Sequence, residues 1–147
     1  MRLRLQTDYA IRALMCLAVN DGRRVMISEI ADQQSISKNH LIKVIHRLAG
    51  LGFIDSQRGR SGGLWLNRPS EQINLGDLVR QFEADTVFLD CFPGGDGACR
   101  LIPHCQLKSV LAEALEAFYN ILDRFTLAQI TAEPAGLRTL LYFGEPA

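Results

Sequence analysis

The order of three short patterns between residues 28 and 66 constrains the fold of this chain more than any other feature of its sequence. A short helical segment follows a cap at Ser28, and about three residues separate it from a second segment that is capped by Ser37. The second segment carries an apolar stripe at helical spacing, formed by Leu41, Val44, Ile45 and Leu48. Two short helices joined in this way are typical of a helix-turn-helix.

A glycine-rich hairpin is predicted directly after these helices. Gly52 ends the second helix, and strand-like runs follow at residues 53–57 and 64–66. The tip between the strands, residues 58–63, reads Arg-Gly-Arg-Ser-Gly-Gly and is therefore both basic and rich in glycine. A hairpin in this position is the wing of a winged helix. We predict a mainly α fold with one small β-hairpin.

Further helices are predicted on either side of this unit. An apolar helical pattern at residues 9–18 precedes it and contains Cys16, which we assign to the core. After the hairpin, Pro69 closes the unit, and a helix capped by Asn74 runs to about Glu83. The winged helix is thus predicted to be flanked by helical segments.

Charge divides the chain into two unlike parts. The formal net charge is zero, but residues 1–68 hold 11 Lys/Arg against 5 Asp/Glu, and residues 69–147 hold 5 against 11. A part that binds a polyanion, joined to an acidic part with another task, would give this asymmetry, as would two solvated surfaces of opposite sign. We assign residues 1–68 to a winged helix-turn-helix domain, residues 69–105 to a connecting helix and a cysteine-bearing loop, and residues 106–147 to a long helix and a C-terminal tail.

Polar and basic side chains lie opposite the apolar stripe of the second helix of the motif. Positions i, i+1, i+4 and i+8 of that face hold Asn39, His40, Lys43 and Arg47. Such residues suit base edges and flanking phosphates in a major groove, and the arginines of the hairpin tip suit phosphates or a minor groove. We predict contacts to double-stranded DNA from Ser37, Lys38, Asn39, His40, Lys43, Arg47, Arg58, Gly59, Arg60 and Ser61. The alternative is a solvated helix and an ordinary hairpin.

Three cysteines lie close together in a glycine-rich loop. Cys91, Cys99 and Cys105 have the spacing C-x7-C-x5-C. Thiolates are the usual ligands of iron–sulfur clusters and also suit zinc, although structural zinc sites favour C-x2-4-C pairs, which this sequence lacks. Three thiolates leave one position for another ligand, where a small molecule can attack. We predict an iron–sulfur site here, and the alternative is three unrelated thiols.

Three residues are candidates for the remaining position. His104 adjoins Cys105, and neighbouring residues often cannot aim at one metal together, whereas Asp96 lies within the loop. Asp8 lies at the start of the first helix, where the helix dipole favours a carboxylate and Arg12 is four residues away. From the residues alone, this local role is the preferred interpretation of Asp8.

A long apolar seam follows the loop. Its members are spaced 4, 3, 4, 3 and 4 positions apart, namely Leu107, Leu111, Ala114, Phe118, Ile121 and Phe125. This spacing predicts a long helix with a heptad seam. Such a helix could pack on its own domain, but for a chain this small we predict that it pairs with its symmetry mate in a homodimer. Two winged helices would then bind adjacent half-sites of a palindrome.

Other function classes fit the sequence less well. The chain has no apolar run of about 18 residues and no signal-peptide pattern, so we expect a cytoplasmic protein with no membrane partner. No catalytic arrangement of Ser, His and acid is apparent, so we do not expect an enzyme. A small iron–sulfur carrier would leave the basic wing unexplained, and a structural zinc protein is a further alternative.

These features together resemble a known family, the small winged-helix iron–sulfur transcriptional repressors that include NsrR, IscR and RirA. The resemblance covers nearly the whole chain. It includes the opening at residues 1–10, the third helix at residues 37–41 and the wing at residues 58–63, and it continues through the three cysteines into the long helix.

Residues 7–9, 37–43 and 117–119 resemble in particular the nitric-oxide-sensing repressor NsrR. This implies a repressor whose iron–sulfur cluster, 4Fe–4S or alternatively 2Fe–2S, switches DNA affinity in response to nitric oxide, with Asp8 donated as a ligand across the dimer. Lys108 stands where IscR-like members have a histidine, which argues against their ligand set. The C-x7-C spacing is shared with the iron-responsive RirA, so an iron- or redox-responsive repressor is the alternative.

Overall fold

The computed structural model describes residues 2–59, 61–132 and 135–144. Its elements are α1 (Leu5–Val19), α2 (Ile27–Gln34), α3 (Lys38–Gly50), β1 (Ile54–Gln57), β2 (Gly63–Leu66), α4 (Leu75–Glu83), α5 (Gln106–Leu122), α6 (Leu127–Thr131) and α7 (Ala135–Leu141). Short 3-10 turns lie at Ser70–Gln72 and Ile102–His104. This confirms the prediction of a mainly α fold with one hairpin. None of the helices in the described residues is long and apolar enough to cross a membrane.

Helix α1 forms the centre of the core. It begins at Leu5, before the predicted start at residue 9, because Thr7 in its first turn is fully buried and bonded to a later helix. Ala10, Leu14 and Cys16 are also fully buried. Burial raises the pKa of the Cys16 thiol to about 12. The thiol therefore stays protonated and packs as an apolar group, which confirms its assignment to the core.

Helices α2 and α3 form the helix-turn-helix. The cap of α2 was predicted at Ser28 but lies at Met26, because the Glu29 carboxylate accepts a hydrogen bond from the Met26 backbone N–H at 2.7 Å. Between the helices Ser35 adopts a left-handed conformation with φ 52°. Helix α3 starts directly after Ser37, as predicted, although the Ser37 side chain makes no capping hydrogen bond.

Strands β1 and β2 form the antiparallel hairpin. Ile54 lies opposite Leu66, and Ser56 lies opposite Leu64. Leu64 also exchanges two backbone hydrogen bonds with Val25, which forms an isolated antiparallel β-bridge just before α2. The hairpin is therefore tied to the helix-turn-helix through its second strand.

The chain after α5 returns to the core. Helix α5 ends at Leu122, and Thr126 caps the short α6 by accepting a hydrogen bond from the Gln129 N–H. Leu127 of α6 is fully buried and Leu141 of α7 is nearly so. Helices α6 and α7 thus pack against α1 and contribute to the core of the winged helix.

Candidate nucleic-acid interface and cysteine loop

Helix α3 separates a buried stripe from an exposed polar face. The predicted stripe of Leu41, Val44, Ile45 and Leu48 is buried, with each residue at most 2% exposed. Because these residues hold α3 against the core, the opposite face is left to solvent. That face exposes Ser37, Lys38, Asn39, His40, Lys43 and His46.

His46 belongs to this face but was not predicted from the sequence. It lines a groove between α3, the start of α2 and the wing, together with Ser28, Lys38, Ser56 and Arg58. The signal was present in the sequence, because His46 follows Asn39 by seven positions, two helical turns later. The groove therefore lies between the exposed face of α3 and the wing, and polar side chains from both line it.

Arg47 is placed away from this surface. Its side chain turns toward α4, where Nη2 donates a hydrogen bond to the Gln81 carbonyl oxygen at 2.7 Å. The guanidinium also lies over the ring of Phe82, with Cζ 4.8 Å from the ring centroid. The structure thus groups the other predicted residues of α3 and leaves Arg47 engaged within the domain.

The wing presents Arg58, Gly59 and Ser61 to solvent. Arg60, predicted to contact DNA, lies outside the described residues. Gly59 has φ 104°, a conformation that L side chains rarely adopt. At the base of the wing, Arg24 stacks on Trp65 with Cζ 3.9 Å from the ring centroid. Arg58 therefore lines the groove, while Arg24 is held at the base of the wing.

The cysteine loop follows α4. Cys99 is exposed, Cys91 and Cys105 are half-buried, and all three are free thiols. Within the described residues, the structure brings no three His, Cys, Asp or Glu residues together in a group that could hold a metal. The side chains present nevertheless fit an iron–sulfur cluster, because three unpaired thiols, the ligand type that such clusters use, lie in one solvent-accessible loop.

The candidate fourth ligands belong to three different segments of the chain. Asp8 pairs with Arg12 one helical turn later, with 3.1 Å between Oδ2 and Nη2, which is the local role predicted from the residues alone. Asp96 accepts a hydrogen bond from the Ala98 N–H within the loop. His104 lies in the short turn before Cys105 and is exposed.

Helix α5 has two apolar faces, and the predicted seam falls partly on each. Its inner face is half-buried against the same chain, where Leu111 and Phe118 line a cleft with Leu3 and Val87. Its outer face is exposed and holds residues spaced 3, 4, 3 and 4 positions apart, namely Leu107, Val110, Ala114, Ala117 and Ile121. Phe125 does not continue either face, because α5 ends at Leu122.

Comparison with known proteins decides the family. A family model described as Rrf2, an iron-dependent transcriptional regulator, matches residues 3–133. The chain belongs to the Rrf2 family. It is 44% identical over 142 residues to the HTH-type transcriptional regulator NsrR of Bacillus licheniformis, with 96% of this chain and 99% of the relative covered. Against the HTH-type transcriptional regulator NsrR of Bacillus subtilis the identity is 42% over 146 residues, with 99% and 100% covered.

Solved structures of similar proteins share the fold. T. potens IscR superposes with a TM-score of 0.72 at 26% identity, covering 92% of this chain and 93% of that one. Staphylococcus aureus CymR superposes with the same TM-score of 0.72 at 23% identity, covering 90% and 99%. This chain is accordingly a winged-helix transcriptional regulator of the Rrf2 family, and its relatives are named as regulators rather than enzymes. The expectation that it is not an enzyme agrees with this.

Proposed function

We propose that this Rrf2-family chain is an iron–sulfur-dependent repressor that binds operator DNA as a homodimer and releases it in response to nitric oxide. One observation carries the proposal. The polar face of α3 and the wing form one exposed surface, while three unpaired thiols lie in a loop of the same chain. Binding of DNA and sensing can therefore be divided between two regions of one regulator, which acts in the cytoplasm where the DNA is.

The DNA-reading surface is proposed to place α3 in a major groove. Asn39, His40 and Lys43 then supply most of the base discrimination, because they are exposed on the face opposite the buried stripe. The wing arginines Arg58 and Arg60 contribute contacts to the phosphate backbone. The excess of basic residues in residues 1–68 supports this division.

The cysteine loop is proposed to hold the cluster. Cys91, Cys99 and Cys105 would supply three thiolates, and Asp8 of the partner subunit would supply the fourth ligand, as the resemblance to NsrR implies. A bound cluster supplies iron that nitric oxide can attack. A carboxylate is a harder and weaker ligand for this iron than a thiolate, so its position is the one that opens first. We expect a 4Fe–4S cluster, with 2Fe–2S as the alternative.

The exposed face of α5 is proposed to form the dimer. Leu107 is 62% exposed, Val110 60% and Ile121 54%, so three large apolar side chains on one heptad stripe lack a partner within the described chain. Pairing of this stripe with a second copy around a two-fold axis would cover them. The same symmetry would present two α3 helices to a palindromic operator.

The decisive experiment combines anaerobic purification with DNA binding. We expect visible absorption typical of an iron–sulfur cluster, with about four iron atoms per chain if the cluster is 4Fe–4S. Fluorescence anisotropy on operator DNA should show tight binding that is lost on titration with nitric oxide. Cys99→Ser should abolish both the cluster and the regulated binding, whereas Cys16→Ala, at the buried fourth cysteine, should retain both.

Other results would favour the alternatives. Loss of DNA binding on iron depletion, with no response to nitric oxide, would identify an iron-responsive repressor. Stoichiometric zinc with no visible absorption would identify a structural zinc protein. A protein that carries a full cluster but binds no DNA at low salt would be identified as a small iron–sulfur protein without a DNA-binding function.

Asp8 has its own test. Asp8→Ala should retain a cluster but make DNA affinity nearly independent of it, because a ligand shifts a conformational equilibrium only through its differential affinity for the two states. If Asp8→Ala leaves cluster stability, nitric-oxide response and DNA affinity all unchanged, the ligand across the dimer is refuted. His104→Ala and Asp96→Ala, measured in parallel, would then identify the fourth ligand.

A further inference from the structure

The end of α4 contacts two other helices before the chain enters the cysteine loop. We call residues 81–86 the α4 junction. It lies five positions before Cys91, the first residue of the loop's cysteine set. Side chains of α1 and of α3 both bond to it, so it joins the sensing loop to the helix that is proposed to read DNA.

The contact with α1 is made by a buried carboxylate. Glu83 is 8% exposed and accepts hydrogen bonds from the Arg4 backbone N–H at 2.9 Å and from the Thr7 hydroxyl. Its second oxygen accepts from the Thr86 hydroxyl at 2.8 Å. Because a buried carboxylate is costly without these partners, the junction and the first turn of α1 hold each other in place.

The contact with α3 is made by Arg47. The guanidinium donates to the Gln81 carbonyl oxygen and lies over Phe82, which is fully buried. Arg47 Nη2 also lies 3.6 Å from Asp85 Oδ2, and Arg4 Nη1 lies 3.9 Å from the same oxygen. Asp85 therefore faces one arginine from the start of α1 and one from α3.

We propose that the α4 junction transmits the state of the cysteine loop to α3, and that Arg47 is the positioning residue through which α3 follows it. This inference rests on the proposed function. A rearrangement of residues 87–105 displaces Asp85 and Thr86 first, since they are the junction residues nearest the loop. Arg47 bonds to a backbone oxygen of the junction, so a shift of that backbone carries α3 with it.

Arg47 thereby takes a different role from the DNA contact predicted by its spacing. Arg47→Lys separates the two roles because it keeps the positive charge but loses the planar fork that spans Gln81, Phe82 and Asp85. Lys43→Ala is the matched control, since Lys43 is exposed on the same helix one turn before Arg47.

The first measurement is the ratio of operator affinities with and without the cluster, together with the salt dependence of binding. Arg47→Lys should reduce this ratio by about tenfold and leave the salt slope unchanged. Lys43→Ala should weaken both forms by a similar factor, lower the salt slope by about one and leave the ratio unchanged. An Arg47→Lys protein with the wild-type ratio, or an Arg47→Ala protein that behaves as Lys43→Ala does, would overturn the proposal.

The second measurement does not depend on the cluster. The second variant combines Asp85→Asn with Arg47→Lys. In the cluster-free state its α3 amides (residues 38–50) should exchange hydrogen faster than those of the wild-type protein, while the amides of α1 keep their protection. Unchanged exchange in α3 would overturn the role of the junction. If the wild-type protein binds no cluster, or binds DNA equally with and without it, the proposed function fails, while this exchange experiment still decides whether the junction positions α3.

Discussion

The Asn20 side chain at the end of α1 holds the C-terminal helix of the chain. Its Nδ2 donates to the Leu141 carbonyl oxygen at 2.6 Å and to the Cys16 carbonyl oxygen at 2.7 Å. Its Oδ1 accepts from the Phe143 N–H at 2.9 Å. Asn20 is 1% exposed, so these bonds are made where water does not compete. One side chain thus satisfies backbone groups near the end of α1 and near the end of α7.

Asn20→Ala should therefore destabilise the protein. Removing the amide takes the Asn20 partner from the Leu141 carbonyl oxygen and the Phe143 N–H, whereas the Cys16 carbonyl keeps its bond from the Asn20 backbone N–H. A buried backbone group left without a partner costs about 1–3 kcal/mol. Urea unfolding monitored by circular dichroism measures the loss, and limited proteolysis should cut first near α7. Gln6→Ala, an exposed position of the same helix, is the control and should change stability by less than about 0.5 kcal/mol. Equal stabilities for the two variants would contradict the anchoring role of Asn20.

Glu83 gives the fold a dependence on pH. Burial raises the pKa of Glu83, but the hydrogen bonds from Thr7, the Arg4 N–H and Thr86 outweigh it and hold the pKa below its usual range. The carboxylate therefore stabilises the fold above the usual glutamate pKa of about 4.3, and this stabilisation is lost as the pH falls through the lower value of the folded state.

Glu83→Gln tests this dependence. At pH 7 the variant should be less stable than wild type by about 1–3 kcal/mol, and the difference should shrink as the pH falls below about 4. Urea midpoints between pH 7 and pH 3 measure it. The exposed Glu71 provides the control, and Glu71→Gln should follow the wild-type curve. A constant difference between Glu83→Gln and wild type at all pH values would show that the charge is not responsible.

Gly62 fixes the geometry of the wing. A Cβ added there would clash with the Gln57 carbonyl oxygen and lie 2.9 Å from the Arg58 carbonyl carbon. Both atoms belong to the backbone and cannot rotate away, so Gly62→Ala should distort the turn at a cost of about 1–3 kcal/mol. DNA affinity should fall as Arg58 is displaced.

Gly50→Ala is the matched control for the wing. Gly50 lies in the last turn of α3, and none of the described atoms outside its own helix lies within 4 Å of the added Cβ. Helix propensity favours alanine there by up to about 1 kcal/mol. Urea unfolding and anisotropy on operator DNA should show a loss for Gly62→Ala alone. A Gly62→Ala protein with wild-type affinity would exclude a wing contact to DNA.

The winged helix could be predicted from the sequence because each of its signals is local. The stripe of α3 repeats at helical spacing, the glycines of the tip mark the hairpin, and Asn74 caps α4 through a side chain that accepts from the Asp77 N–H. The cap of α2 was wrongly predicted at Ser28 because the observed cap at Met26 uses the Glu29 carboxylate instead. The helices and strands could therefore be predicted from local chemistry, with small errors at their ends.

The contacts of Arg47 could not be predicted from the sequence because they are tertiary contacts. Its spacing from Asn39 fits the DNA face, whereas its hydrogen-bond partner Gln81 comes 34 residues later in the chain. The seam of α5 shows the same limit, since only packing reveals which of two adjacent apolar stripes faces the chain itself. The relative positions of the three cysteines could likewise not be predicted from the sequence, because they depend on the conformation of a long loop.

Val110 distinguishes the two stripes of α5. The predicted seam omits Val110 and includes Leu111, but Val110 is 60% exposed beside Leu107 and Ala114, while Leu111 is half-buried against the same chain. If the exposed stripe forms the dimer, an aspartate at Val110 would place a charge in an apolar interface without a partner, and dissociation should follow.

Val110→Asp should therefore sediment as a monomer at micromolar concentration and bind a palindromic operator at least tenfold more weakly. Its unfolding free energy per chain should change little, because Val110 contributes nothing to the core. Ser109→Asp adds the same charge one residue away, at an exposed position outside the stripe, and should remain dimeric. Analytical ultracentrifugation of both variants decides the matter. If Val110→Asp stays dimeric while Leu111→Asp dissociates without unfolding, the dimer uses the inner stripe and α5 must separate from α4 when it pairs.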